Sequence, residues 1–408
     1  MFGSYLTQWD LLVIVFYFVF QFSLGFIFKA FSKDASDYFR GGGSMLWWLV
    51  GASAFMTQFS AWTFTGAAGK AYVDGTLVMA IFFGNALGYF CNYLYTSYRY
   101  RRMRVVTAIE GVRDRFGPVN EQVFTWLQVP MSVVYAGIWL NGLGIVASSF
   151  FNVDPSFTVL IVGVVVVLMS VMGGSWAIVA SDFMQTLLLM SITLVACFLA
   201  LSHPAVDGLS GLLTKLPEGH LRPWDAEDAT FVYFWIFAAF VIQSFKLNNM
   251  FDAYRYLCVK DDKQARKASL MASILMFVGP FIWFIPPMAA RIIQPDLALV
   301  FPELGDKAYE GAFVFIGLEL MPLGMVGLLL CALFAATISS MDTGLNRNAG
   351  IIVKNFYQPV FRKNASPGHL LLAGKVISAL FGALIIVAAL GMQSIKEYDL
   401  FDIMILFG

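Results

Sequence analysis

Apolar residues occupy most of the chain in long runs that short polar segments separate. A helix that crosses the hydrocarbon core of a bilayer needs about 20 mainly apolar residues, and such runs follow one another along the sequence. The pattern predicts transmembrane helices at 11–31, 46–68, 76–96, 121–149, 156–173, 177–201, 230–250, 268–291, 322–349 and 368–392, with an eleventh beginning near Tyr398. The predicted fold class is therefore an all-α polytopic membrane protein that forms a single transmembrane domain over residues 1–408.

Composition agrees with this pattern. Hydrophobic residues make up 59% of the chain, charged residues 13%, and the mean hydropathy is +0.74. These values lie far outside the range of water-soluble domains, so the lipid bilayer is the expected partner of most of the surface. The first apolar run follows an N-terminus without Lys or Arg and lacks a small-residue cleavage site. We interpret it as a retained helix and not as a signal peptide.

The positions of the basic residues predict the orientation of the helices. Of the 26 Lys and Arg residues, 18 fall in the segments after odd-numbered spans and 6 in the segments after even-numbered spans. Because cytoplasmic loops carry the excess of positive charge, we predict a multi-pass protein of the cell membrane with its N-terminus outside. The Arg-rich segment 98–104 is interpreted as part of this signal, so no nucleic acid is expected as a partner.

Polar residues inside the spans are the first candidates for function, because an ionisable group at the bilayer centre costs at least about 2.5–3.5 kcal/mol. In the ninth span Ser339, Asp342 and Thr343 are spaced i, i+3 and i+4 and share one helix face. A set of ligands made only of oxygen suits a hard cation such as Na⁺ better than a transition metal. The alternative is that these hydroxyls hold neighbouring helices together.

Asp182 lies near the start of the sixth span, where a carboxylate facing the membrane needs a cation or a hydrogen-bond donor. The alternative is an acid at a helix start, favoured by the helix dipole and hydrated at the interface. The second span is rich in small and hydroxyl residues between 51 and 69. Such a helix can break, and its unwound carbonyls can bind a cation. Packing of small residues is the alternative, but it leaves Gln58 unexplained.

The seventh span ends abruptly in the polar stretch 243–249, with Lys246 at its centre. We interpret Lys246 as snorkelling to the cytoplasmic interface in preference to a substrate role. The four cysteines have no metal-ligand spacing and predict neither disulfides nor zinc. No His lies near an intramembrane Asp in the sequence, and no Ser-His pairing is evident, so an enzyme is not predicted.

Three segments together resemble the sodium:solute symporter family: 38–43 (YFRGGG) ahead of the second span, 173–185 (GGSWAIVASDFMQ), and 339–346 (SSMDTGLN). Residues 110–117 and 254–257 support the resemblance, which covers essentially the whole chain. It implies two five-helix repeats of opposite topology with broken first helices. One extra helix at 11–31 would come first, the first repeat would span 46–201, and the second would span 230–408.

The resemblance also implies site residues. The family's main sodium site matches the carbonyls of Met56, Phe59 and Ala336 and the hydroxyls of Ser339 and Ser340. A second sodium, or a carboxylate that relays the cation, matches Asp182 with Asp342 and Thr343 nearby; two carboxylates could instead hold a proton between them. Substrate contacts in relatives match Gln58, Ser60, Thr63 and Asn249, with Asn85 and Asn141 as weaker candidates.

The function that the resemblance implies is sodium-coupled symport of a sugar, an amino acid or an organic anion by alternating access, with Na⁺ as the coupling ion. The alternative is a membrane sensor built on the same fold, since relatives with fused kinase domains exist. Family members usually continue for several more helices, whereas this sequence stops inside its eleventh apolar run. We therefore expect the chain to be a C-terminally truncated piece of a longer protein.

Overall fold

The computed structural model describes residues 6–29, 31, 34–151, 153–225, 229–252 and 254–392. Helices dominate these residues, and the predicted eleventh span from Tyr398 lies outside them. The α-helices are α1 Gln8–Lys29, α2 Ala35–Arg40, α3 Trp47–Met56, α4 Ala61–Phe64, α5 Gly66–Asp74, α6 Met79–Cys91, α7 Ser97–Arg102, α8 Ala108–Phe116, α9 Pro118–Phe151, α10 Pro155–Ser202, α11 Gly208–Lys215, α12 Ala229–Leu247, α13 Tyr254–Cys258, α14 Asp262–Val278, α15 Pro280–Trp283, α16 Ile285–Ile293, α17 Ala312–Leu320, α18 Met325–Ile351, α19 Gln358–Phe361 and α20 Pro367–Met392.

Eight helical runs of the described residues are long and apolar enough to cross a bilayer. Together with the shorter apolar helix Trp47–Met56, they account for the ten spans predicted before residue 393. Pro155–Ser202 holds two of these spans, and the second span is divided between Trp47–Met56 and the start of Ala61–Arg102. Many large apolar side chains point outward, among them Phe16, Phe198 and Phe245 at 69%, 69% and 75% exposure. Such a surface is suited to lipid and confirms a multi-pass membrane protein.

Helix α10 is 48 residues long and bends sharply at Gly174, where φ is 61° and ψ is −167°. Only glycine adopts this conformation without strain. The residues on either side of the bend both reach the centre of the molecule: Ser170 donates a hydrogen bond to Asp342, and Asp182 accepts one from Ser53. The bend therefore brings the fifth and sixth predicted spans against the same part of the core.

Helix α18 is the centre of the bundle and is buried along almost its whole length. The N-terminal helix α1 packs against its start, where Asp10 Oδ1 accepts a hydrogen bond of 2.8 Å from the Gly327 backbone N–H. A Cβ on Gly327 would lie 2.6 Å from the Asp10 carbonyl oxygen. The extra first helix thus fixes the position of the helix that carries most of the candidate sodium ligands.

We expect Gly174→Ala to lower the melting temperature of the purified protein. Alanine at this φ and ψ is strained, and such strain costs about 1–3 kcal/mol. The control is Gly391→Ala in α20, where an added Cβ meets nothing within 4 Å. An unchanged melting temperature in Gly174→Ala, or an equal decrease in both variants, would contradict a specific requirement for glycine at the bend.

Candidate functional site

The second predicted span is broken in its middle. Helix α3 ends at Met56 and α4 begins at Ala61, so the four residues between them are not helical. The break is held from both sides: the Phe59 N–H donates to the Met56 carbonyl at 3.0 Å, and the Ala61 N–H donates to Thr337 Oγ1 at 2.9 Å. Thr337 belongs to α18, which therefore takes over hydrogen bonds that the broken helix cannot make for itself.

Carbonyl and hydroxyl oxygens converge where this break meets α18. Ser340 Oγ donates to the Phe59 carbonyl and lies 3.3 Å from each of the Thr57 and Ala336 carbonyl oxygens. Ser339 Oγ is buried nearby on the same helix, makes no hydrogen bond of regular geometry among the described residues, and lies close to the Asp182 carboxylate. The structure thus brings Phe59, Ala336 and Ser340 together as predicted, while the Met56 carbonyl is engaged by Phe59 and the Thr57 carbonyl takes a place beside Ser340.

The seventh span is also broken. Helix α12 ends at Leu247 and α13 begins at Tyr254. Between them Asn249 Oδ1 accepts hydrogen bonds from the backbone N–H groups of Phe251 and Asp252 at 2.8 and 3.1 Å, so this amide holds the turn. The Met45 N–H donates to the Cys258 carbonyl at 3.0 Å, which ties the end of this broken helix to the residues just before α3.

A cavity of about 730 Å³ lies between the two breaks. Gln58, Ser60 and Asn249 line it, as the predicted substrate contacts should, whereas Thr63 is buried outside its wall. Of the weaker candidates, Asn85 lines the cavity with its Oδ1 unpaired among the described residues, and Asn141 does not line it. The other neutral polar and aromatic lining residues include Gln128, Ser132, Tyr135, Trp139, Trp235 and Gln243.

Aromatic rings close one side of the cavity beside the α3–α4 break. The Trp283 ring meets Phe59 edge-on at a centroid distance of 4.8 Å and Phe82 at 5.8 Å, and Phe82 in turn meets Phe284 at 5.1 Å. All four side chains are at most 1% exposed. Edge-to-face contacts of this kind add to the burial of apolar area, so this side of the cavity is sealed in the conformation described here.

The remaining candidate ligands form a second polar cluster. Asp182 Oδ2 accepts hydrogen bonds from Ser53 and, at 3.3 Å, from Arg255 Nη2, which also donates to Thr343 Oγ1. Arg255 is 4% exposed and Asp182 is 1% exposed. The guanidinium therefore lies between Asp182 and Thr343, while Asp342 turns to the other arm of α10 and accepts from Ser170. Two of the three predicted ligands of the second cation are thus bridged by a side-chain cation.

The sequence model of the Sodium:solute symporter family matches residues 38–405. The chain belongs to the sodium:solute symporter family. The sodium/sialic acid symporter SiaT of Proteus mirabilis is 25% identical to it over 389 residues, covering 93% of this chain and 77% of that protein. The sodium/glucose cotransporter 4 of Danio rerio is 28% identical, covering 96% and 64%. The sodium/myo-inositol cotransporter 2 of Oryctolagus cuniculus is 27% identical, covering 90% and 59%.

A solved structure of a Na⁺-coupled sialic acid symporter, in a substrate-bound outward-open state, superposes on this symporter-family chain with a TM-score of 0.83. The two share 21% sequence identity, and the superposition covers 96% of this chain and 83% of the other. This likeness confirms the predicted inverted-repeat transporter fold. Family membership confirms the predicted function, symport of a small solute, and the predicted coupling ion, Na⁺. The relatives named above are transporters, and they do not support the alternative of a membrane sensor.

Two charged residues of the site were not predicted. In the sequence, Arg255 counts among the basic residues after the seventh span, and Lys246 is interpreted as snorkelling to the interface. In the structure, Arg255 is buried against Asp182 and Lys246 lines the cavity. Lys246 lies at the end of the apolar run of α12, and Arg255 follows it. At such positions the sequence does not distinguish a basic residue that marks the cytoplasmic side from one that belongs to a site. The signal in the sequence for a buried Arg255 is the tyrosine on either side of it, since a solvated loop rarely places its basic residue between aromatic residues. In the structure both tyrosines are buried.

We expect Arg255→Met to destabilise this symporter-family protein by about 3–5 kcal/mol, because it leaves the Asp182 carboxylate buried without its counter-charge. The double variant Arg255→Met with Asp182→Asn should recover most of that loss, since neither charge then remains. Thermal unfolding of the two single variants and the double variant measures this coupling.

The control is Arg102→Met, which removes the exposed pair with Asp262. Exposed pairs contribute at most about 1 kcal/mol, so this variant should unfold close to the parent. Equal effects of Arg102→Met and Arg255→Met, or no recovery in the double variant, would contradict the assigned pairing.

Proposed function

We propose that this protein carries a small hydroxylated organic solute across the membrane in symport with Na⁺, by alternating access. The observation that carries the proposal is the convergence of Ser340 Oγ with the carbonyl oxygens of Phe59, Thr57 and Ala336 at the α3–α4 break, on the wall of the cavity. Oxygen donors supplied by an unwound helix and by hydroxyls are the ligands that hard cations take in transporters of this fold.

Ser339 fits the same assignment. Its hydroxyl is 1% exposed and makes no hydrogen bond of regular geometry among the described residues, while the Asp182 carboxylate lies close to it. A cation bound beside Ser340 would give this oxygen a partner. Since the ligands come from the α3–α4 break and from α18, Na⁺ binding would hold these elements together and shape the adjoining cavity for the solute. We include the Met56 carbonyl as a further proposed ligand.

We propose a single sodium per cycle. Arg255 already supplies a positive charge between Asp182 and Thr343, so a second Na⁺ would have to displace a guanidinium from its carboxylate. Asp342 is separately engaged with Ser170. A second cation at Asp182, Asp342 and Thr343 stays a prediction. It requires a conformation in which the Arg255 guanidinium no longer lies between Asp182 and Thr343.

Gln58 and Ser60 are the proposed substrate contacts, with Asn85 and Tyr135 beside them on the cavity wall. The relatives named above are symporters of sialic acid, glucose and myo-inositol, and amides and hydroxyls of this kind suit the hydroxyl groups of such solutes. We retain Thr63 and Asn249 as proposed substrate contacts of lesser weight. We also propose that the protein is no enzyme, lies in the cell membrane with its N-terminus outside, binds no nucleic acid, and is divided into repeats at 46–201 and 230–408.

The sodium site is tested by thermal unfolding of the purified protein in NaCl and in KCl. We expect Na⁺, and not K⁺, to raise the melting temperature, and Ser339→Ala with Ser340→Ala to abolish the sodium-specific increase. Ser269→Ala in α14 is the control, since Ser269 is a buried helix serine whose hydroxyl donates to carbonyls of its own helix and is not placed among the candidate ligands. No sodium effect in the parent would rule out the assigned cation site.

The proposed stoichiometry is tested by the sodium dependence of uptake into proteoliposomes. With one sodium per cycle, the initial rate should rise hyperbolically with Na⁺ concentration, with a Hill coefficient near 1. A sigmoidal dependence with a coefficient approaching 2 would show that the cluster around Asp182 also binds Na⁺ during transport.

A further inference from the structure

Lys246 lies in the last turn of α12, directly before the break of the seventh span. Its side chain lines the cavity, and its Nζ lies 5.7 Å from the centroid of the Tyr135 ring on α9. A lysine that snorkels to the interface extends its ammonium toward water and headgroups. Here the ammonium faces an aromatic ring across the same cavity that Gln58 and Ser60 line.

The charges on the cavity wall do not balance. Three lining residues are cationic, Lys246, Arg255 and Arg347, and one is anionic, Asp252. Arg347 Nη1 pairs with Asp252 Oδ1 at 3.6 Å, and Arg255 pairs with Asp182 behind the wall at 3.3 Å. Asp252 lies near enough to Lys246 to interact with it electrostatically, but not within ion-pair distance. Among the described residues Lys246 thus has no carboxylate of its own.

An ammonium group that is partly withdrawn from water, as the half-buried Lys246 is, is costly unless a counter-charge meets it. The Tyr135 ring compensates only partly, since the attraction between a cation and an aromatic ring is weaker than that between two opposite charges. A carboxylate would form charge-assisted hydrogen bonds with Nζ, which are roughly twice as strong as neutral ones. A neutral sugar would leave the charge without an anion.

We propose, building on the symport function above, that the transported solute is a monoanion whose carboxylate pairs with Lys246. The neutral groups of the same solute face Gln58, Ser60 and Asn85. One unpaired ammonium matches one carboxylate better than a dianionic phosphate. Lys246 is then the residue that selects acids over neutral sugars and polyols.

The test measures ligand-induced changes in melting temperature of the purified full chain in saturating NaCl. The acidic probes are N-acetylneuraminate, D-gluconate and D-glucuronate, and the neutral probes are D-glucose and myo-inositol. We expect at least one acid, and neither neutral probe, to stabilise the parent. Lys246→Gln should weaken binding of that acid at least tenfold, whereas Lys246→Arg should retain it.

Lys263→Gln is the matched control, because Lys263 is exposed at the start of α14 and is not part of the cavity wall. It should bind the acid as the parent does. If Na⁺ still raises the melting temperature of Lys246→Gln, the variant is folded and its cation site is intact. Unchanged acid binding by Lys246→Gln, stabilisation by a neutral probe alone, or no binding by any acid while Na⁺ still stabilises the parent would overturn the inference. Loss of the sodium effect in the parent would instead overturn the proposed function.

Discussion

The structure depends on one constraint: a helix that breaks inside a membrane exposes backbone groups that hydrocarbon cannot satisfy. The α3–α4 break meets this constraint through α18, because Thr337 accepts from the Ala61 N–H and Ser340 donates to the Phe59 carbonyl. The position of α18 is fixed in turn by Asp10 of α1 and by both arms of the bent α10, through Ser170 and Ser175. The hydrogen bonds that hold the broken helix thus lie at the place where backbone oxygens are available for a cation.

The buried carboxylates are under a similar constraint, because each needs a partner inside the protein. Asp182 is compensated by Arg255, and Asp252 by Arg347, while Asp342 accepts a hydrogen bond from Ser170. Such pairs contribute little net stability, but the loss of one partner is costly. They therefore hold the broken seventh span against α10 and α18 in one arrangement. A conformational change that separated two paired charges would be costly, so the two members of each pair have to move together. Lys246 is the exception among these cavity charges, which is why it points to a solute.

Hydropathy predicted the spans well, because an uninterrupted run of about 20 apolar residues is typical of a membrane-crossing helix and rare in water-soluble domains. The small and hydroxyl residues of the second span predicted its break, and the i, i+3, i+4 pattern of α18 predicted a polar face. The resemblance to the family predicted that Ser340 and Phe59 meet. Arg255 and Lys246 could not be placed from sequence, since a basic residue after an apolar run is consistent with either a cytoplasmic loop or a chain that turns back into the core. The bend at Gly174 was predicted as a short loop between two spans, and only its φ of 61° explains why glycine is needed there.

The charge on the solute determines whether the membrane potential, in addition to the Na⁺ concentration gradient, can drive uptake. Inward movement of one Na⁺ with a neutral solute gains about 2.3 kcal/mol per 100 mV from the membrane potential, which corresponds to roughly fiftyfold accumulation. A monoanion paired with Lys246 would cancel the charge of a single Na⁺, so the potential would contribute nothing and only the concentration gradient of Na⁺ would drive uptake. The bridge that Arg255 makes between Asp182 and Thr343 therefore has an energetic consequence: releasing it to admit a second Na⁺ would restore the contribution of the potential for an anionic solute.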